Sequence, residues 1–247
     1  MKFEEILSFN YGPNKYYTGF RGSILVIKGL PGSGKTSIVK FIAAASISGK
    51  EIGGFICPQK FKIDIIDAEQ AEYLIEYSKQ DIENTLSIDR SILDESLSYF
   101  SISHIADPVE KYEEVKSLIT SNNGDIVIID NLSSISGDLN NSFNASNMAS
   151  ELNTLAKNKG KLLVLLSHVN EAGKSFGALG TQIENYADVQ LYLQRDYDEG
   201  YTIVTNTKNR LNRSGEIPTF DFTIIDNSEI ILGPYIPINI KWKFLKS

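Results

Sequence analysis

Eight residues constrain this chain more than any others. GLPGSGKT, residues 29–36, follows directly on the apolar run SILVIK. In the pattern GxxxxGK[ST] the glycines let the backbone turn its N–H groups inward around phosphate oxygens. The helix that opens behind it adds positive potential at its N-terminus. The stretch therefore predicts a strand–loop–helix unit, with the loop at the C-terminal end of a strand in an α/β sheet. The expected phosphate-binding residues are Gly29, Pro31, Gly32, Ser33, Gly34, Lys35, Thr36 and Ser37. Lys35 would reach the β and γ phosphates, and the Thr36 hydroxyl would ligate Mg²⁺. A Gly-rich turn without a ligand is the plain alternative, and the flanking strand and helix patterns speak against it.

The rest of the chain repeats the alternation. Apolar, β-branched stretches predict strands over 23–28, 61–67, 98–103, 125–130, 161–168, 189–194, 201–207 and 220–225. The early ones are apolar on both faces, as buried parallel strands are. Helical patterns fall between them over 36–48, 70–83, 109–121 and 144–158. Asp107-Pro108 and Asn144 read as helix starts, Gly124 and Gly160 as stops. The expected fold is an α/β core with a mainly parallel sheet flanked by helices, and antiparallel strands added on the C-terminal side. The small polar stretch SSISGDLNNSFNAS (133–146) reads as a loop. Residues 1–16 are set apart from an ATPase domain over 17–247. They form either a short helix docking on a neighbouring subunit or a frayed or self-packed terminus.

Composition narrows the classes. Of 247 residues, 42% are hydrophobic and 22% charged, as in ordinary globular proteins. No apolar run approaches the roughly 20 residues that span a bilayer, and MKFEEILSFNYG lacks the apolar core of a signal peptide. Cys57 is the only cysteine, which rules out a disulfide within one chain and argues against a Cys-based zinc site. It reads as a packing residue, and the whole fits a cytoplasmic protein with no membrane partner. The net charge of −7 speaks against a broad nucleic-acid surface but permits a narrow track inside a ring.

A phosphate loop needs a carboxylate at the end of a neighbouring strand to hold the magnesium's water shell. DIVIIDN supplies Asp130 at such an end, with a helix N-cap as the alternative role. The next residue is Asn131, so the base must come from elsewhere. In KIDIIDAEQAEYL, Glu69 lies just past a strand end and is placed to orient the attacking water. Asp67 in the same stretch is the weaker candidate. His104 ends another strand, matches no motif and reads as structural.

Taken in order, these stretches resemble the RecA-like ATPases, and more narrowly the RecA/RadA/DnaB/RepA group. IIDAEQA is similar to the strand carrying the catalytic glutamate, and VIIDNLSSIS to the Walker B strand. LLVLLSHVNEAGKSFGALGTQIENYADVQLYL resembles the sensor strand with its DNA-facing loop, and VTNTKNRLNRSGEIPTFDF the Lys-Asn-Arg stretch of RadA- and DnaB-type motors. The resemblance covers about residues 17–226 and implies a RecA-like P-loop NTPase core that binds ATP and Mg²⁺. It makes His168 a sensor of the γ-phosphate. It makes Lys208 and Arg210 a pair reaching the neighbouring subunit's phosphates, a task that suits the planar guanidinium. Hydrolysis would then need a homo-oligomer, a hexameric ring or a filament.

The resemblance also places single-stranded DNA along the loops after Asp130 and His168. The first, 133–146, holds no Lys or Arg, and the second, 169–182, only Lys174, which is thin for neutralising phosphates. Ser133, Ser134, Asn140, Asn141 and Ser175 could hold phosphates instead, and Phe176 could stack on a base. Three readings stay open at this point. One is a hexameric single-strand-translocating helicase of a phage, plasmid or mobile element, RepA-like or of the DnaB C-terminal type. Another is a RadA-like ATPase of recombination and repair, and the last a KaiC-like ATPase acting on a protein.

Overall fold

The computed structural model describes residues 4–11, 14–86, 90–136, 142–170, 172–198, 201–212, 221–225 and 229–232. Along the chain run β1 (Glu5–Tyr11), β2 (Asn14–Phe20), β3 (Ile24–Gly29), α1 (Lys35–Ser48), β4 (Phe55–Ile56), β5 (Ile63–Asp67), α2 (Glu72–Leu86), α3 (Arg90–Ser96), β6 (Leu97–Ser101) and α4 (Pro108–Ser121). They continue with β7 (Ile126–Asp130), α5 (Leu132–Ile135), α6 (Ser142–Lys159), β8 (Leu162–His168), α7 (Gly177–Tyr186), β9 (Val189–Asp196), β10 (Tyr201–Asn209), β11 (Asp221–Ile225) and β12 (Glu229–Leu232). Among the described residues the main sheet has nine strands in the order β12-β11-β10-β9-β3-β8-β7-β5-β6. From β9 to β6 neighbours are parallel, and β10, β11 and β12 extend the sheet antiparallel. This is the α/β P-loop NTPase core that the sequence predicts.

The sheet is buried on both faces because its strands alternate sides at every residue. In β3, Leu25 and Ile27 pack with Ile38, Phe41 and Ile42 of α1. Ile24 and Val26 face the other way, onto Tyr112, Val115 and Ile119 of α4 and Leu152 of α6. Strand β7 splits likewise, Ile126 and Ile128 to one layer, Val127 and Ile129 to the other. With no polar face left, such strands read as unbroken apolar runs.

Caps fix the helices as their residues dictate. Asp107 accepts from the backbone N–H groups of Val109 (2.8 Å) and Glu110 (3.0 Å), with Pro108 at the first turn. Gly160, with φ 61°, follows the end of α6. Gly124 lies beyond the end of α4 and gives its N–H to the buried Asp64 carboxylate at 2.9 Å; a Cβ there would sit 2.3 Å from that oxygen.

Two expectations are corrected. Residues 5–11 are a strand, not a docking helix. β1 pairs with β2 and β4 in a three-stranded sheet, and Ile6, Leu7 and Phe9 are fully buried in the same cluster as α1. The terminus is self-packed because Phe9 meets Phe55 edge-on, with centroids 5.0 Å apart. The predicted loop 133–146 is instead largely helical, with α5 and the start of α6 on either side of 137–141, which lie outside the described residues. Cys57 is buried, its sulfur 3.5 Å from Ser46 Oγ, and burial pushes its thiol up to about 11. His104 is exposed in the turn after β6. Among the described residues no helix is long and apolar enough to cross a membrane.

Candidate functional site

The site forms where four parallel strands end side by side. Gly29 of β3 is in register with His168 of β8, and Asp67 of β5 with Asp130 of β7. The phosphate loop turns at Gly32 (φ 73°) and Gly34 (φ 90°), both left-handed, and Gly34 opens α1 without a side-chain cap. That leaves the N–H groups of Lys35 and Thr36 for a ligand, while Ser37 N–H bonds the Gly34 carbonyl at 3.1 Å. Gly29 has no room for a side chain: a Cβ would lie 2.4 Å from Ser33 Oγ and 2.8 Å from the Leu193 carbonyl. Pro31 and Thr36 are exposed on the loop and at the helix start, whereas Ser33, Lys35 and Ser37 are buried.

Lys35 Nζ donates to the carbonyls of Gly29 and Leu30, both at 2.9 Å. Burial pulls its ammonium down to about 8, against the attraction of Asp130 and Glu69. Asp130 moves the opposite way, pushed up to about 7 by burial and then by the charges of Asp67 and Glu69. The peptide that follows, Asp130–Asn131, is cis. Asp67 is fully buried and its oxygens are used. Oδ1 accepts from the N–H groups of Glu69 (2.9 Å) and Gln70 (2.8 Å), and Oδ2 from the Tyr99 hydroxyl (3.1 Å). It shapes the turn that presents Glu69.

Glu69 stands out of that turn with its side chain 45% exposed, 3.8 Å from His168 Nε2. Ser134 Oγ donates to it at 3.1 Å. The imidazole foremost, then the nearby Asn131 amide and that hydroxyl, hold the Glu69 carboxyl down to about 2 against the effect of burial. Ser134 is in place because Asn131 caps α5, accepting from the Ser134 N–H at 3.2 Å and from the Ser133 hydroxyl. In the sequence Asn131 stands out only where an acid is missing; an Asn three residues before the Ser134-Ile135 pair is also the signature of this cap.

Three buried polar atoms around this edge have no hydrogen-bond partner: Ser33 Oγ, Asn131 Nδ2 and His168 Nδ1. Buried polar groups are normally satisfied, so this cluster fits a polar ligand. Among the described residues no three His, Cys, Asp or Glu side chains are placed to hold a metal unaided. Thr36 and Asp130 fit a cation that takes most of its oxygens from phosphates and water, as Mg²⁺ does.

The loop beyond His168 is a compact hairpin. Asn170 Oδ1 accepts from the N–H groups of Ala172 (3.0 Å) and Lys174 (3.1 Å), and Phe176 N–H returns to the His168 carbonyl at 2.7 Å. Lys174 and Phe176 point outward, Phe176 half exposed. Ser175 is buried with its hydroxyl on Glu184, whose carboxylate also pairs with Lys28 at 3.0 Å. Asn140 and Asn141 lie outside the described residues.

Lys208 and Arg210 lie elsewhere. Val189 of β9 is in register with both Leu25 and Asn209, so this end of β10 is level with the start of β3, four residues back from Gly29. That is roughly 13 Å along the strand. Both side chains meet the C-terminal end of α7, Lys208 on the Glu184 carbonyl at 2.6 Å and Arg210 on that of Asn185 at 3.2 Å. Neither belongs to its own chain's phosphate site. Tyr197, unnoticed in the sequence, does border it: its hydroxyl donates to the Pro31 carbonyl at 3.3 Å.

The arrangement gathers backbone amides, a buried lysine and a carboxylate at one strand-end edge, with a second carboxylate beside them, a set suited to a phosphate chain. The AAA_25 family, an AAA domain, matches residues 2–174, from β1 through the phosphate loop, Glu69, Asp130 and His168. No curated protein matches the chain. The match takes in every element of the phosphate site except β9, and the chain therefore belongs to the AAA domain family, as a P-loop ATPase.

Proposed function

We propose that this protein is an ATP-hydrolysing motor of the RecA-like type, acting on single-stranded DNA as a head-to-tail oligomer, RepA-like or DnaB C-terminal-like. The observation that carries the hydrolytic part is Glu69, an ionised carboxylate oriented by His168 and Ser134 next to the phosphate loop. ATP binds with its phosphates against the amides of Gly32–Thr36 and the Lys35 ammonium. Thr36 and Asp130 hold Mg²⁺, which when bound neutralises charge on the β and γ phosphates. Glu69 orients a water for in-line attack and takes its proton. His168, touching both Glu69 and the hairpin that ends at Phe176, links the γ-phosphate position to Lys174.

The placement of Lys208 and Arg210 supports the oligomer in this reading. They stand at the far end of the sheet from their own phosphate loop, so any action on a triphosphate is on a neighbour's. Such a contact is heterologous and closes into a ring or runs on as a filament. The DNA part rests on the resemblance and on the outward-facing Lys174 and Phe176. A RadA-like recombination ATPase shares these features. A regulatory ATPase with a protein partner is favoured by the net charge of −7 and the scarcity of Lys and Arg in both loops.

The test is the steady-state ATPase rate with and without single-stranded DNA at low and moderate salt. Stimulation that falls with salt supports the DNA motor, and an unwinding assay then separates helicase from recombination ATPase. A well-formed oligomer that no nucleic acid stimulates moves the reading to the protein partner.

A further inference from the structure

The strand order gives the phosphate loop two unlike flanks. On one side of β3 stand β8, β7 and β5, whose ends carry His168, Asp130 and, just beyond, Glu69. On the other side stands β9, and the chain leaves its end at Asp196. Asp130, placed to hold Mg²⁺, and Glu69, placed to orient a water, both stand on that first side, so the terminal phosphate of a bound nucleotide belongs there. A nucleoside triphosphate is a linear molecule with its base at the other end. The base therefore leaves the cradle on the β9 side.

Tyr197 waits there. It is the residue after β9, and its side chain is 68% exposed. The hydroxyl is tied to Pro31 at 3.3 Å and lies 3.6 Å from where a Cβ on Gly32 would be, which fixes the ring against the loop's crown. Leu30, one residue before Pro31, is itself 37% exposed. An anchored ring with an open face is what a flat, weakly polar heterocycle stacks on.

Resting on the nucleotide reading above, we infer that Tyr197 is the base platform of this site and stacks the nucleobase of the bound nucleoside triphosphate. Stacking tolerates any base, and the hydroxyl is already engaged with Pro31. Tyr197 thus supplies affinity without choosing between ATP and GTP.

Binding calorimetry with ATP, GTP and inorganic tripolyphosphate tests this, in a Glu69→Gln background that suppresses turnover. Tyr197→Ala is expected to weaken ATP and GTP alike, by roughly five- to 150-fold, the range of one base–aromatic stack. Tripolyphosphate binding stays at the parent level, which also reports an intact loop. Tyr197→Phe, which keeps the ring and loses the bond to Pro31, binds ATP like the parent. Unchanged ATP affinity in Tyr197→Ala overturns the platform. So does an equal loss for tripolyphosphate and ATP, since the ring would then only brace the loop. A parent that binds neither ATP nor tripolyphosphate defeats the nucleotide reading itself, and the platform with it.

Discussion

Lys208 Nζ reaches the main-chain carbonyl of Glu184 at 2.6 Å, and the Glu184 carboxylate in turn pairs with Lys28, one residue before the phosphate loop. The same carboxylate receives Ser175 from the hairpin after His168. One residue of α7 thus touches the strand that leads to the phosphates, the loop assigned to DNA and Lys208 of the basic pair assigned to a neighbour.

That placement makes a subunit-mixing prediction. Arg210→Ala alone is expected to bind ATP and to lose turnover by about 10³-fold or more, the usual weight of an arginine acting in trans. Lys35→Ala is inactive for want of its own site. Mixed in equal amounts, the two recover part of the wild-type rate, because an Arg210→Ala site then meets the intact Arg210 of a Lys35→Ala neighbour. Normal turnover by Arg210→Ala sinks the trans assignment.

Glu69→Gln keeps the shape and removes the base. Single-turnover hydrolysis should fall by about 10²–10⁴-fold, with ATP affinity held near the parent value. His168→Ala should also slow hydrolysis, since it removes the first partner that orients Glu69. A Glu69→Gln protein that turns over normally would return the search for a base to other residues.

Lys35 ties nucleotide binding to pH. Burial holds its ammonium at about 8, and a triphosphate beside it raises that value. Just below about 8 the lysine is protonated with or without the ligand and adds no pH dependence of its own. Above it, binding must take up a proton, and affinity declines as pH rises. Calorimetry at pH near 8.5 in buffers of different ionisation enthalpy should show proton uptake that Lys35→Met abolishes.

Gly29→Ala puts a methyl 2.8 Å from the Leu193 carbonyl and nearer still to Ser33 Oγ. Overpacking of this kind costs about 1–3 kcal/mol, and each kcal/mol lowers Tm by about 2–4 °C in a chain of this size. Thermal unfolding of Gly29→Ala beside a surface Gly→Ala control decides it; equal Tm values refute the clash.

Much of this was legible in order. Buried parallel strands announce themselves as apolar runs, and GLPGSGKT carries its own context. Asp130 and Glu69 follow from being just past strand ends. What stayed hidden depends on distant partners. β1 is a strand because it pairs along its length with β2 and, through Ser8 and Phe9, with the two-residue β4 on its other edge; the partner at Phe55 and Ile56 is distant in sequence, and no local period reports it. α7 begins GALGT, two glycines that mask a helix held by packing. Ser134 is polar and small, and only the turn capped by Asn131 reveals that it serves Glu69. Tyr197 looks like any aromatic after a strand until β9 is set beside β3.

Lys35 has a consequence for the energetics of loading. Its ammonium already holds two carbonyl oxygens of the loop, those of Gly29 and Leu30. An ammonium has three donors, and two of Lys35's are already placed, so a phosphate arriving within reach meets the third on a side chain whose direction is set before the ligand comes. The entropy of fixing so long a side chain, up to about 1.5–2 kcal/mol, is then spent on folding and not on loading the nucleotide.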